Sequence, residues 1–504
     1  VLLALAALAA CGGPSSPPAP APSSGDVVRT TRGDLRGLSL GDHREFLGIP
    51  YAAPPTGQLR WRPPAPAVSW TGVRAATRLG PACPQPDRSG TSEDCLFANV
   101  YTPPASSGTS LPVILWLHGG SFDQGSGGDV NGTFLTTVGR VILVTINYRL
   151  GPLGFLAPPG PGGDQDAGLY GLLDQQAALR WVQANIAAFG GDPRRVTLAG
   201  ESAGGASVCL NLISPSARGL FSRAIMESGC AQHPRSRAEA DDQGQRLAAA
   251  VGCGGANALA CLREQPAKRL VTAATSVPGL GWEPVVGSPT VPEPALSALA
   301  AGRFSRVPVL QGTTRDEGGL FVVPSQDSRQ RPLTAAAYPA AAQAQFGGLA
   351  PAVLRQYPAD HFTSPGQALA TAVGDARFSC RALVSNALFS AYVPTYMYEF
   401  DDAEAPGQFP FTATFPLGAY HGSELLYLFR YGISHPEQLS LSAQMMRYWS
   451  AFAAEGRPAV TGAPVWPAFS TRTTDVLGLA PGRTARGSDF GDRHNCAFWS
   501  SFTG

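Results

Sequence analysis

The chain has 504 residues, 44% of them hydrophobic, and a formal net charge of +1. That is enough apolar material for a large buried core, and the balanced charge, with no basic run, RNA-type motif or P-loop, gives no reason to expect a nucleic-acid partner. Length alone would allow several domains, although α/β folds of this size also occur as one.

The first ten residues, VLLALAALAA, have the length of a secretory signal's hydrophobic region and are too short to span a membrane. They lead into Leu8, Ala9, Ala10 and Cys11, which resembles a bacterial lipobox with Cys11 as the lipidated first residue of the mature protein. Residues 12–25, GGPSSPPAPAPSSG, form a Pro/Ser tether with little to bury. The expected order is a signal region over 1–10, an anchor and tether over 11–25, and one folded domain over 26–504. The protein is expected to be exported and held at the cell envelope by lipid on Cys11, not by a transmembrane helix. Nine cysteines suit an oxidising compartment, and eight remain once Cys11 is set apart.

Further along, LPVILWLHGG (111–120) reads as a buried strand running into a glycine loop, and RVILVTINYR (140–149) as a second strand. Leu172, Leu179, Val182, Ile186 and Phe189 recur at a helical period, and Gly190, Gly191 and Pro193 end that helix. A short apolar strand over 196–199 is followed by a helix from Ala203. FSRAIMESG (221–229), VPVLQGTT (307–314) and PTYMYEF (394–400) read as further strands. This alternation predicts an α/β fold with a mostly parallel sheet and helices on both faces. Such sheets place their sites at strand ends, where the Gly-rich loops of this chain gather.

VTLAGESAGG (196–205) sits at one of those ends. A sharp strand-to-helix turn strains the residue at its apex and leaves no room for side chains two positions either side. Ser202 between Gly200 and Gly204 therefore matches the G-x-S-x-G nucleophile elbow, with the free N–H of Ala203 beside it. A serine hydroxyl needs a base, and the base an orienting acid, in the chain order Ser, acid, His. His233, His361, His421, His435 and His494 follow Ser202. His421 stands out because AYHGSELLYLF places it in a turn before an apolar run, and Asp316 and Glu317 are the acids just past a strand. These residues can be ranked on physical grounds but not assigned. HGGSF (118–122) offers amides of Gly120 and Ser121 that, with Ala203, are placed to converge on one oxyanion.

The blocks FLGIPYAAPP, LRWRPP, SEDCLFANVY, HGGSF, NYRLGPLGFL, VTLAGESAGG, TTRDEGG, YHGSELLYLF and NCAFW, in this order, resemble the type-B carboxylesterase (cholinesterase-like) family of α/β-hydrolases from about Asp26 onward. The resemblance implies a serine carboxylesterase acting on a small-molecule ester without cofactor or metal. It makes Ser202 the nucleophile, Glu317 the acid and His421 the base, with Gly120, Ser121 and Ala203 as the oxyanion hole. The family usually has glycine where Ser121 stands. Glu201 becomes a supporting carboxylate near the histidine, and Asp316 a neighbour of the acid. The resemblance also implies disulfides Cys83–Cys95, Cys253–Cys261 and Cys380–Cys496, and structural ion pairs Arg60–Glu93 and Arg149–Asp174. It leaves Cys209 and Cys230 without partners, so both are expected as buried small hydrophobes rather than a fourth disulfide.

His118 is expected to shape its loop, and His43, His233, His361, His435 and His494 to lie on the surface or in loops. No Trp, Tyr or Phe lies between Cys83 and Cys95, which argues against a choline-binding aromatic gorge. PGLGWEPVVG (278–287) falls where the family builds its acyl pocket, so Leu280 and Trp282 are the expected apolar walls. Two rival readings share these motifs: a catalytically silent binding protein, and a hydrolase of amides or other activated carbonyls.

Overall fold

The computed structural model describes residues 27–502 apart from 105–109, 160–163, 231–233, 329, 408 and 410. The proposed signal, Cys11 and tether, and also His233, lie outside the described residues.

The central sheet has eleven strands: β1 (Leu38–Ser39), β2 (Arg44–Pro50), β3 (Phe97–Thr102), β4 (Leu111–Leu117), β5 (Ile142–Ile146), β6 (Gly191–Glu201), β7 (Arg223–Glu227), β8 (Val309–Thr314), β9 (Thr395–Phe400), β10 (Val476–Leu479) and β11 (Ala485–Gly487). Their spatial order is β11-β10-β9-β8-β7-β6-β4-β5-β3-β2-β1. From β10 to β5 every neighbouring pair is parallel. Both margins are antiparallel. A separate three-stranded sheet joins Val27–Arg29, Asp34–Arg36 and Val73–Ala75.

The unbroken apolar run of β4 follows from burial on both faces. Val113, Leu115 and Leu117 enter one core with Val144, Val196 and Leu198. Ile114 and Trp116 point the other way, into a second core with Leu143, Ile225 and Leu310.

Helix α1 (Tyr170–Asn185) and helix α2 (Ala203–Ile213) are tied side by side through buried amides. Gln175 donates to Ser207 Oγ at 3.0 Å, and Asn211 donates back to Gln175 at 3.1 Å. Arg149 grips Asp174 of α1 with two side-chain bonds of 2.7 and 2.8 Å. Arg60 holds Glu93 in the same two-pronged way, at 2.6 and 2.8 Å. Further on, α3 (Pro365–Gly374) passes through a π-helical turn, Asp375–Ser379, directly into α4 (Cys380–Ser390).

Four disulfides are present among the described residues: Cys83–Cys95, Cys209–Cys230, Cys253–Cys261 and Cys380–Cys496. The second corrects the expectation that Cys209 and Cys230 are unpaired core residues. Both are buried as expected, but parallel pairing of β6 with β7 brings α2 against the segment that leaves β7, so the two thiols meet. Four disulfides fit an extracytoplasmic protein. Among the described residues no helix is long and apolar enough to cross a membrane.

The histidines expected on the surface or in loops divide by burial, with His43 and His494 at loop and turn positions. His361 and His435 are exposed, but His43 and His494 are buried. Each buried ring is held by carboxylates: Asp42 and Glu45 for His43, Asp375 and Glu399 for His494.

Candidate active site

β6 ends at Glu201, α2 begins at Ala203, and Ser202 between them sits at φ 54°, ψ −120°. The glycines two positions away are required by contact with backbone. A Cβ on Gly200 would lie 2.6 Å from the carbonyl carbon of Gly204, and one on Gly204 would lie 2.0 Å from Leu117 O. The Ser202 N–H donates to Glu227 O at 2.8 Å, which pins the elbow to the end of β7.

The loop after β4 runs through positive φ at Gly120 (102°), Ser121 (52°) and Phe122 (63°). Ser121 thus holds a left-handed conformation that glycine takes at less cost. Among the described residues, the N–H groups of Gly120, Ser121 and Ala203 donate to no carbonyl of the surrounding loops. His118 supports this loop from below. Its Nδ1 lies 2.8 Å from Gly119 O, its ring stacks on Tyr148, and burial lowers its pKa to about 4, so it is neutral.

Glu317 follows β8 and is fully buried. Its Oε1 accepts from the Thr314 N–H at 2.9 Å and from Ser228 Oγ at 2.5 Å. Its Oε2 meets His421 Nδ1 at 2.5 Å. Asp316 clasps the histidine loop instead: its N–H donates to Ala419 O and its carboxylate accepts the Ala419 N–H, both at 2.9 Å. Phe321 and Phe378 pack against the imidazole, with ring centres 5.0 and 4.8 Å away.

The second ring nitrogen, Nε2, lies 3.1 Å from Glu201 Oε1, so it faces the elbow. Burial pulls the imidazole pKa down, but the charges of Glu201 and Glu317 and the bond to Glu317 outweigh it and hold the ring up at about 9. Burial pushes Glu201 up to about 7, against the pull of His421. Glu227, paired beside Glu201 in the sheet, is likewise pushed up by burial, to about 8.

A nucleophile elbow, a buried acid–imidazole pair facing it and free amides beside it form the constellation of acyl-transfer sites. The profile of the Carboxylesterase family matches residues 24–499. The chain belongs to this family. It is 36% identical to the para-nitrobenzyl esterase of Bacillus subtilis over 479 residues, 90% of this chain and 94% of that protein. It is 35% identical to the fumonisin B1 esterase of Sphingopyxis macrogoltabida over 481 residues, 88% of this chain and 85% of that one. The cocaine esterase of Oryctolagus cuniculus matches at 35% over 489 residues, 88% of each chain. A solved PNB esterase structure superposes with a TM-score of 0.81 at 34% identity, covering 94% of this chain and 99% of that one. A thermophilic PNB esterase gives 0.82 at 33%, with the same coverage. The protein is therefore an α/β-hydrolase of the carboxylesterase family, and its reaction is the hydrolysis of carboxylic esters.

A cavity of about 360 Å³ opens at the esterase's elbow, lined by Ser121, Ser202 and Ala203 together with Phe122, Phe321, Phe378, Glu283, Arg377 and Arg381. Leu280 and Trp282 do not line it. Residues 280–284 have no regular secondary structure, and the chain turns Trp282 inward and Glu283 toward the cavity. Trp282 lines a separate small void with Pro84, Asp123 and Pro152, while Leu280 packs half-buried on the core. Sequence reasoning also missed Ser228, although its place just past β7, at the sheet end that carries the elbow, was a usable signal.

Proposed function

We propose that Ser202 attacks the ester carbonyl while His421 takes its proton at Nε2, and that the oxyanion is held by the amides of Gly120, Ser121 and Ala203. His421 then protonates the leaving alcohol, and water releases the acid from the acyl-enzyme by the same steps in reverse. Glu317 orients the ring and stabilises the imidazolium. Glu201 supports the same nitrogen from the elbow side. The observation that carries this reading is the 2.5 Å bond from Glu317 to Nδ1, which leaves Nε2 directed at the elbow. Because Ser121 keeps a main-chain N–H, replacement of the usual glycine leaves the donor count intact.

The test is hydrolysis of p-nitrophenyl esters of increasing acyl length by wild type and Ser202→Ala. Turnover by wild type with the variant near background supports the assignment. Equal rates for folded wild type and variant on every ester overturn it.

We further propose a signal region over residues 1–10, a lipidated Cys11 and a tether to residue 25, ahead of one catalytic domain over 26–504. The Ala-Ala-Cys sequence after an apolar run supports the anchor, and the disulfides fit the compartment it would place the domain in. In an exporting bacterial host, Cys11→Ser should abolish fatty-acid labelling and release the esterase from the membrane fraction. Unchanged labelling would reject Cys11 as the anchor.

A further inference from the structure

Four hydroxyl side chains among the described residues sit at positive φ: Ser121 (52°), Ser202 (54°), Ser228 (49°) and Thr474 (47°). Glycine takes that conformation at less cost, so a side chain kept there calls for a reason. Ser202 forms the elbow. Ser228 Oγ donates to Glu317 at 2.5 Å, and Thr474 Oγ1 donates to the Thr473 carbonyl at 2.9 Å. Ser121 differs from all three, because its hydroxyl bonds to nothing among the described residues.

The loop that carries Ser121 is held on every side. The N–H groups of Asp123 and Gln124 donate to Gly120 O at 3.0 and 2.9 Å, and the Gly151 N–H donates to Phe122 O at 2.7 Å. Gln85 grips Gly125: its Nε2 donates to the carbonyl and its Oε1 accepts the N–H, each at 2.9 Å. Toward the elbow the loop abuts Ser202, since a Cβ on Gly119 would lie 3.1 Å from the Ser202 Cβ. The hydroxyl is therefore carried at a fixed place, a short side chain's reach from the Ser121 N–H.

Ser121 is exposed, and the space it borders is the cavity at Ser202, whose wall it shares with Phe122, Phe321 and Phe378. The remaining hydrogen-bonding side chains of the lining, Ser202 apart, are the charged Glu283, Arg377 and Arg381. Water serves the Ser121 hydroxyl while the cavity is open. A substrate packed against the aromatic rings displaces that water, and a donor then left without an acceptor weakens the complex.

We propose that Ser121 Oγ is a specificity-determining donor, and that the esterase prefers esters with an ether or hydroxyl oxygen close to the scissile group, such as esters of α-alkoxy and α-hydroxy acids or of 2-alkoxyethanols. This rests on the reading of Ser202 as nucleophile with Gly120, Ser121 and Ala203 as its oxyanion hole. With the carbonyl oxygen at the Ser121 N–H, the hydroxyl of the same residue reaches atoms near the carbonyl carbon. An acceptor there receives a hydrogen bond that a methylene cannot.

The test compares kcat/KM of the full chain on two isosteric pairs in which oxygen replaces a methylene. p-Nitrophenyl methoxyacetate against p-nitrophenyl butanoate places the oxygen on the acyl side. 2-Methoxyethyl acetate against butyl acetate places it on the alcohol side. An alkoxy group also activates the carbonyl, so the reading is the oxygen-to-methylene ratio of wild type divided by that of Ser121→Ala, which keeps the Cβ and loses only the hydroxyl. This quotient should be about 3- to 10-fold for at least one pair, the size of one neutral hydrogen bond, and that pair identifies the side. Ser121→Gly should give the same quotient. A quotient of one for both pairs, including the case in which Ser121→Ala slows all the esters alike, overturns the proposal, since the hydroxyl would then serve the oxyanion or the loop. A ratio that moves in Ser121→Gly but not in Ser121→Ala also overturns it, because glycine alone frees the backbone. No turnover of any ester by folded wild type would instead overturn the esterase reading on which it rests.

Discussion

His421 has carboxylates on both of its nitrogens, Glu317 at 2.5 Å and Glu201 at 3.1 Å. Only the first is needed to orient the ring. The second has a predictable cost: together with Glu317 it holds the imidazole pKa up at about 9, which in the proposed mechanism delays formation of the neutral base. Activity should therefore rise with pH along a limb that lies above the ordinary histidine range of about 6.5. Glu201→Gln removes one of the two charges that raise this pKa. The limb of kcat/KM should then move to lower pH by about one unit, as expected for loss of a nearby opposite charge. Superimposable pH profiles for the two proteins would show that Glu201 does not control the base. In the proposed mechanism part of the same charge remains useful after proton transfer, because Glu201 would also favour the imidazolium formed in the transition state. The variant should accordingly be slower at its plateau even as it gains at low pH.

At the scale of elements, what the sequence revealed and what it hid have separate physical causes. The elbow was legible because its constraint is local. Gly200 and Gly204 abut backbone within the same turn and strand neighbour, so no compensating change elsewhere would admit a side chain. The strands of the parallel block were legible because burial on both faces leaves an unbroken apolar signature, as in β4. The cavity walls were not. Whether Trp282 or Glu283 faces the site depends on how an irregular segment is laid against Asp123 and Pro152. The π turn at Asp375–Ser379 carries no periodicity signal of its own, yet it decides where Arg377 and Phe378 point. Cys209–Cys230 was hidden for a related reason. A cysteine in an apolar helix reads as a small hydrophobe, and only the pairing of β6 with β7 brings its partner within reach.

Across the whole molecule, one long-range connection runs from the carboxyl-terminal segment to the wall of the candidate active site. His494 lies 119 positions from Asp375 and 95 from Glu399, so no local pattern marks it, yet both carboxylates meet its ring at 2.6 Å. Burial pulls this imidazole pKa down, but the two partners outweigh burial and raise it to about 9. The carboxylates differ. Burial dominates at Asp375 and raises it, whereas at Glu399 the burial penalty is outweighed by His494 and by Arg493, 2.7 Å away, and its pKa falls. Because the histidine's folded-state pKa lies above its unfolded value of about 6.5, the stabilisation is complete below that pH and is lost as pH rises through about 9. His494→Gln should lower the denaturant midpoint at pH 6, and the gap between wild type and variant should narrow steadily from pH 7 to pH 10. A gap that is constant with pH would show that the ring contributes packing alone. Since Asp375 belongs to the turn that carries Arg377 and Phe378, the same titration should loosen that turn before it unfolds the domain. Activity of the wild type should then begin to fall on the alkaline side at a pH where its far-ultraviolet circular dichroism is still native.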